Sequence, residues 1–275
     1  MKNGRGDLTL CMMVKNEEKC ILHAIDSVRS IIDEVVVVDT GSTDKTIELA
    51  ESAGAKVIKY KWDNDYPKIR NLGLRAATGR WILVLDADEV LNPGDLPKVK
   101  HLIQKSNVHG YMLVQKSYTN NRSYSGWIPC KTDDPEYGKF AGYIHNPICR
   151  LFQNQTDIYF ENILHELIEP AIKRFGGSIV TTSVSILHYG HKYFGDKPDK
   201  WDNYIASGII NIKQNPESAR PHRDMGLAMI QAGRYDDAIK EFLQGIEKDS
   251  DIENLRYNLA VAYNHTGQKE LAIEH

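Results

Sequence analysis

The sequence contains no long uninterrupted apolar segment. None of its 275 residues lie in a stretch that approaches the ~18–20 apolar residues of a membrane-spanning helix. The apolar stretch 8–14 is too short and too strand-like for a secretory signal peptide, and the residues before it are polar. These absences predict a soluble protein without a transmembrane segment.

Paired cysteines and an excess of one charge are also missing. The 4 cysteines are scattered without a C-x-x-C spacing, which favours a reduced compartment over a disulfide scaffold. The 34 basic and 37 acidic residues leave a net charge of −3, which argues against a nucleic-acid partner bound by bulk positive charge. We therefore expect a cytoplasmic protein, and its hydrophobic fraction of 41% is sufficient for a packed core.

The first part of the chain alternates between strand and helix patterns. Continuous apolar runs at 8–14, 35–38 and 81–85 are typical of strands in a parallel sheet that is covered on both faces. Apolar residues at helical spacing run from Ile21 to Ile32. A helix, a strand and a helix are further predicted at 46–53, 56–60 and 67–77. This order predicts an α/β fold with a doubly wound, mostly parallel sheet over residues 1–198.

The last part of the chain, residues 199–275, has an all-helical pattern with an internal repeat. Small or apolar residues recur 34 positions apart, in the pairs Met225/Leu259, Ala228/Ala262, Gly233/Gly267 and Ala238/Ala272. This is the tetratricopeptide period, and an ordinary pair of helical hairpins is the alternative. Because a stable array usually needs ~3 repeats, we expect a truncated array or a tail that packs against the α/β domain.

Acidic residues follow two of the predicted strands at the point where each strand ends. Asp86 and Asp88 follow the run 81–85, and Asp39 follows the run 35–38. Ligands of doubly wound sheets bind beyond these strand ends. Two close carboxylates repel each other unless a cation neutralises them, and oxygen ligands suit Mg²⁺ or Mn²⁺. Asp39 is placed to accept a hydrogen bond from a base or a ribose hydroxyl.

Four motifs occur in order along this region. They are Met13-Val14-Lys15-Asn16-Glu17, Val38-Asp39-Thr40-Gly41-Ser42-Thr43-Asp44, Arg70-Asn71 and Leu85-Asp86-Ala87-Asp88-Glu89. Together they resemble the family 2 glycosyltransferases of GT-A fold. The repeats, and Arg150-Leu151-Phe152 followed by His165-Glu166, are similar to a bacterial branch that includes SunS-like peptide S-glycosyltransferases and lipopolysaccharide-core glucosyltransferases. Lys68-Ile69 before Arg70 departs from the family, which often has a small residue there.

The resemblance implies a UDP-sugar donor and assigns two groups of residues to its nucleoside. Asp39 and Arg70 would contact the uracil, with Lys15 and Glu17 nearby. Asp86 would contact the ribose. From the sequence alone, the alternatives for Arg70 are a place on a solvated helix face or a salt bridge, which are the usual roles of arginines on amphipathic helices.

The resemblance also implies a metal site beside the donor diphosphate. Asp88 and His188 would be the two ligands of the cation. Asp86 and Ala87, in the same segment as Asp88, would contribute to donor binding. His188 closes the strand pattern 179–187, where a structural hydrogen bond is the alternative role. Either Mn²⁺ or Mg²⁺ would suit this pair, and imidazole slightly favours Mn²⁺.

A general base is the remaining group that the reaction needs. Direct displacement at the anomeric carbon requires removal of the acceptor proton on the face opposite the departing UDP, and a carboxylate can do this. Glu166 is our candidate, and Asp133 and Asp134 are alternatives. The aromatic loop 118–143 could grip a sugar or an acceptor, or could equally pack onto the sheet.

These observations predict an inverting, metal-dependent enzyme that moves a hexose, expected to be glucose, from a UDP-sugar to a peptide or saccharide acceptor. The helical tail would present the acceptor or form a homodimer. One alternative is a nucleotidyltransferase, although Lys15-Asn16-Glu17 lacks the glycines of a triphosphate-binding loop. The other is a non-catalytic tetratricopeptide scaffold.

Overall fold

The structure is a computed structural model that describes residues 6–122, 126–136, 138–162, 166–190, 198–249 and 254–274. It divides into two compact units. The first comprises Met1–Trp62, Pro67–Glu161 and Leu167–Asp196, and the second comprises Asp63–Tyr66, Asn162–Glu166 and Lys197–His275. The helical unit therefore includes two short segments from within residues 1–198, which the sequence pattern does not indicate.

The first unit contains a mixed sheet with helices on both faces. Its strands are β1 (Leu8–Val14), β2 (Glu34–Asp39), β3 (Lys56–Lys59), β4 (Trp81–Val84), β5 (Glu89–Leu91), β6 (Gly110–Thr119), β7 (Trp127–Pro129), β8 (Gly142–Gln153) and β9 (Ile179–His188). Its helices are α1 (Ile21–Val28), α2 (Thr46–Ser52), α3 (Tyr66–Ala76), α4 (Leu96–Leu102) and α5 (Glu169–Arg174), with a 3-10 turn at Pro93–Asp95.

The strand order within the described residues is β3-β2-β1-β4-β8-β6-β9-β5, with β7 paired to β8. Strands β3, β2, β1 and β4 are parallel, so their carboxyl ends lie at one edge of the sheet. Beyond β4, the strand β8 pairs antiparallel with both β4 and β6, and β6 pairs parallel with β9. The α/β fold class and the predicted β-α-β-α-β-α-β order are confirmed.

The central strands are buried on both faces, as their continuous apolar sequences predict. In β1, Leu8, Leu10 and Met12 pack into one core with α1, whereas Cys11 packs into the core on the opposite face. Ile172 of α5 belongs to that second core. The prediction that the first helix continues to Ile32 is wrong. The helix ends at Val28 because the next turns tighten, and the Ile31 N–H donates to the Val28 carbonyl three residues back.

The second unit is helical and repeats its turn geometry at the predicted period. Its helices are α6 (Pro198–Gln214), α7 (Ala219–Gln231), α8 (Tyr235–Lys248), α9 (Leu255–His265) and α10 (Lys269–Glu274). Gly233 and Gly267 have φ of 73° and 79°. The Arg234 N–H donates to Met229 at 2.8 Å, and the Gln268 N–H donates to Tyr263 at 2.9 Å. These equivalent helix ends are 34 residues apart. No helix among the described residues is long and apolar enough to cross a membrane.

Replacing Gly233 by alanine should lower the free energy of unfolding by about 1 kcal/mol, because its backbone is left-handed. A Cβ at this position would meet nothing within 4 Å, so the cost comes from the backbone alone. Urea denaturation followed by circular dichroism measures the change. Gly94→Ala is the control, since φ at Gly94 is not positive and its Cβ would make an ordinary 3.6 Å contact with Asn92. Equal stability of the two variants would contradict the assigned turn.

Candidate active site

The loops that follow β1 and β2 are joined by hydrogen bonds at the carboxyl edge of the sheet. The backbone N–H of Asn16 donates to Ser42 Oγ at 2.9 Å, and the backbone N–H of Glu17 donates to Thr46 Oγ1 at 2.7 Å. Asn16 has φ of 57°, a conformation that asparagine tolerates better than most residues. Lys15 is exposed in the same loop. The structure thus places Lys15 and Glu17 beside the loop that carries Asp39.

Asp39 has one carboxylate oxygen that is engaged and one that is not. It is the last residue of β2 and pairs with Val14, the last residue of β1. Its Oδ1 accepts hydrogen bonds from the backbone N–H groups of Gly41 at 2.9 Å and Ser42 at 3.0 Å. Its Oδ2 is buried and has no hydrogen-bond partner in the part of the chain that the structure describes. A buried carboxylate oxygen without a donor is costly, so this atom is suited to accept a ligand's N–H or O–H.

Asp86 lies between two arginines. Arg70 Nη2 is 3.0 Å from Asp86 Oδ1, and Arg150 Nη2 is 3.0 Å from Asp86 Oδ2. Burial of the Asp86 carboxyl by itself raises its pKa, but the two guanidinium charges outweigh burial and hold the pKa well below its usual value. Arg70 therefore forms the salt bridge that the sequence left as an alternative. The sequence indicates Arg150 only as part of a motif and does not predict its pairing with Asp86.

Asp88 and His188 meet beside a glycine. Asp88 Oδ2 lies 3.4 Å from His188 Nε2. A Cβ built on Gly190 would lie 3.0 Å from each of these two atoms, so any larger residue at this position would crowd them. Burial by itself lowers the pKa of His188, but the carboxylates of Asp88 and its neighbours outweigh burial and raise the pKa. Ala87 is buried in the core.

This pair fits a divalent cation that completes its coordination with substrate. The described residues contain no group of three or more His, Cys, Asp and Glu side chains arranged to hold a metal ion. Mg²⁺ is commonly held by one or two protein ligands together with substrate phosphates, and it does not need a full protein cage. A carboxylate oxygen and an imidazole nitrogen that no side chain of residue 190 crowds are sufficient protein ligands for this mode of binding.

Gln115 and Ser117 of β6 also lie at this site, and neither belongs to a sequence motif. Glu89 is fully buried, and it accepts a hydrogen bond from Gln115 Nε2 on β6. Burial raises the pKa of Glu89, and Arg150 at 3.9 Å counteracts this effect. Ser117 Oγ lies 3.0 Å from His188 Nδ1. The spacing of Gln115 and Ser117 is the sequence feature that could have placed them together, because residues two apart on a strand project from the same face of the sheet.

The alternative base Asp134 is already engaged in the first unit. Its carboxylate forms an ion pair with Lys116 at 2.7 Å and accepts a hydrogen bond from the Tyr118 hydroxyl at 2.8 Å. Burial alone raises the pKa of Asp134, but these partners outweigh burial and lower it. Asp133 is exposed. Asp134 is therefore better suited to fixing its loop than to accepting a proton.

Part of the aromatic loop packs onto the sheet. The Tyr118 ring stacks on Tyr189 with centroids 5.7 Å apart, and Phe140 and Tyr143 contact Tyr118 at 5.3 and 5.8 Å. These four aromatic residues form one buried cluster with apolar neighbours. Tyr124 and Tyr137 lie outside the described residues. The packing role therefore accounts for Tyr118, Phe140 and Tyr143, which lie at the two ends of this loop.

Glu166 belongs to the second unit, at the end of the segment Asn162–Glu166. The preceding His165 of the predicted motif lies outside the described residues. Glu166 is partly buried. Its role as the base stays a prediction.

The model of glycosyl transferase family 2 matches residues 9–154, more than half of the chain. The chain belongs to this family. This membership confirms the family that the ordered motifs indicate. It also places the loops of Asp39 and Asp88 within the matched region.

Curated relatives agree with this family and with the repeats. The chain is 26% identical over 97% of its length to a TPR repeat-containing protein of Synechococcus elongatus, of which the match covers 64%. It is 27% identical over 60% of its length to the SPbeta prophage-derived glycosyltransferase SunS of Bacillus subtilis, of which the match covers 35%. The chain thus spans less than two thirds of the length of these relatives. The predicted similarity to SunS is confirmed.

A solved structure shares the fold. The crystal structure of S. aureus TarS 1-349 aligns with a TM-score of 0.51 and 15% identity, over 98% of this chain and 88% of that chain. At this identity the likeness shows the fold alone, and it agrees with the predicted GT-A architecture.

Proposed function

We propose that the chain is an inverting, metal-dependent glycosyltransferase that moves a hexose from a UDP-sugar to a peptide side chain or a saccharide. UDP-glucose is the first donor to test. The observation that carries the proposal is the 3.4 Å contact between Asp88 Oδ2 and His188 Nε2, next to a glycine whose Cβ would crowd both atoms. Family membership supports sugar transfer.

Asp39 and Arg70 supply the environment for the nucleoside in this proposal. The unpaired Oδ2 of Asp39 would accept the hydrogen bond of the uracil N–H. Arg70 is held by Asp86 and is almost fully buried, so it is fixed before any ligand arrives. Asp86 is kept ionised by its two arginines and would accept a ribose hydroxyl. Lys15 and Glu17 flank this position from the β1 loop.

Asp88 and His188 would hold Mn²⁺ or Mg²⁺, which when bound neutralises the charge that develops on the departing diphosphate. The chain's own groups perform the rest. Glu166 would take the proton from the acceptor's nucleophilic atom. That atom forms a bond to the anomeric carbon while the bond from this carbon to the UDP oxygen breaks. Attack on the face opposite UDP inverts the configuration. The helical repeats would present the acceptor or pair two copies of the chain.

Product analysis tests this function directly. The protein is incubated with UDP-glucose, other UDP-hexoses, and candidate peptides or saccharides, with Mn²⁺, Mg²⁺ or a chelator. We expect metal-dependent release of UDP and a glycoside of inverted configuration by NMR. In a parallel incubation with UTP and a hexose 1-phosphate, release of pyrophosphate would indicate a nucleotidyltransferase. A failure to bind UDP with metal would indicate a scaffold.

Replacing Asp39 by asparagine should weaken UDP binding about 10- to 100-fold, because a hydrogen bond to a charged group contributes ~1.5–3 kcal/mol. Asparagine keeps an oxygen for the Gly41 and Ser42 N–H groups but turns the other position into a donor. Calorimetric titration with UDP measures the change. Asp157→Asn, at an exposed position of the same unit, is the matched control. Unchanged affinity in the Asp39 variant would exclude Asp39 from the nucleoside site.

A further inference from the structure

A row of polar side chains crosses three neighbouring strands next to Asp88. Ser117 of β6 pairs in register with His188 of β9, and His188 pairs with Glu89 of β5. Gln115 precedes Ser117 by two residues on β6, so both side chains project from the same face of the sheet. The sheet register therefore brings together residues that are far apart in the sequence.

Hydrogen bonds connect this row without interruption. Ser117 Oγ lies 3.0 Å from His188 Nδ1 and donates to Gln115 Oε1 at 3.5 Å. Gln115 Nε2 donates to Glu89 Oε1 at 2.5 Å. Glu89 Oε2 accepts a hydrogen bond from the backbone N–H of Asp86 at 2.8 Å. The row thus links the imidazole of His188 to the backbone turn that begins with Asp86.

The direction of each hydrogen bond follows from Glu89. Gln115 presents its amide nitrogen to Glu89, whose other oxygen accepts from the backbone N–H of Asp86, and it presents its Oε1 to Ser117. The Ser117 hydroxyl donates to that Oε1, which leaves a lone pair to accept from His188 Nδ1–H. This arrangement favours a proton on His188 Nδ1. Its Nε2 is the nitrogen that faces Asp88 Oδ2, 3.4 Å away.

We propose that Ser117 and Gln115 are positioning residues that fix His188 in the tautomer with a proton on Nδ1 and a lone pair on Nε2 available to a divalent cation. This inference rests on the proposed function, because it presupposes a cation between His188 and Asp88. Partners of this kind typically contribute about 10- to 100-fold to metal affinity. Ser117 and Gln115 would act through His188 and would not touch the cation themselves.

Titration with Mn²⁺ in the presence of UDP, followed by the EPR signal of free Mn²⁺, tests the inference. Ser117→Ala should lower Mn²⁺ affinity about tenfold, and Gln115→Met should lower it in the same direction. Ser117→Thr keeps a hydroxyl and should restore most of the affinity. The metal-free affinity for UDP should not change in these variants, and the melting temperature should not change in Ser117→Ala or Ser117→Thr. Ser183→Ala removes an exposed hydroxyl on β9 and is the matched control.

NMR of protein labelled with ¹⁵N-histidine gives a signature that a purely structural role would not move. With Mg²⁺ and UDP, His188 should show a protonated Nδ1 and an unprotonated Nε2. In the metal-free protein, the neutral imidazole of the wild type should favour the same tautomer, and Ser117→Ala should lose that preference. Wild-type Mn²⁺ affinity in Ser117→Ala, or a protonated Nε2 in the loaded wild type, would overturn the inference. His188→Ala and Asp88→Asn separate a failure of the proposed cation site from a failure of the positioning role of Ser117 and Gln115. If they also bind Mn²⁺ normally, the proposed cation site fails; if they alone lose it, only the role of Ser117 and Gln115 fails.

Discussion

Replacing Asp88 by alanine should lower kcat/KM for sugar transfer about 1000-fold, which corresponds to ~4 kcal/mol of lost transition-state stabilisation. The reason is that Asp88 supplies the carboxylate of the proposed cation pair, opposite His188 Nε2. Its side chain is 21% exposed and is not part of a hydrophobic core, so the fold should survive the change. UDP release under steady-state conditions, with UDP-glucose and saturating Mn²⁺, measures the effect.

The control for this variant is Asp157→Ala, which removes an exposed carboxylate of the same unit. It should retain wild-type turnover, and both variants should keep wild-type circular dichroism spectra. Turnover of Asp88→Ala within a few-fold of the wild type would refute the assignment of Asp88 to the cation.

Glu166→Gln should bind UDP-glucose normally but lose transfer by ~100- to 10,000-fold, the usual contribution of a general base. Glutamine preserves the shape of the side chain and its capacity to accept a hydrogen bond, so the change removes mainly the ability to take a proton. Single-turnover transfer at saturating donor and acceptor measures the chemical step, and calorimetry with UDP measures donor binding separately.

Glu217→Gln is the matched control, because Glu217 is an exposed carboxylate in the same helical unit as Glu166. It should transfer sugar at the wild-type rate. If Glu166→Gln does so too, another group is the base, and the exposed Asp133 becomes the first candidate to test.

The strands of the parallel half of the sheet could be predicted because each carries its signal locally. The apolar run of β1 gave its limits, Leu8–Val14, directly, since a strand buried on both faces has no polar alternation. The helix ends were less accurate. Ile32 fits the helical spacing, yet α1 ends at Val28, because the tightened turns that end it depend on backbone hydrogen bonds that apolar spacing does not encode.

The acidic residues at the strand ends could be predicted from position, but their partners could not. Asp88 and His188 are 100 positions apart, and they meet because β5 and β9 pair antiparallel, with Glu89 opposite His188. Only the resemblance to a known family joined them in advance. Arg150 reaches Asp86 from β8, a strand whose register with β6 shifts near Tyr111. Such shifts change which side chains face each other and carry no local sequence signal.

A crystal structure of the protein with Mn²⁺ and UDP tests the central claim most directly. Anomalous scattering at the manganese edge locates the cation independently of any assumption about its ligands. The account predicts one peak ~2.1–2.3 Å from both Asp88 Oδ2 and His188 Nε2, in contact with the UDP diphosphate. A peak coordinated by other side chains, or bound UDP with no anomalous peak at this pair, would contradict it.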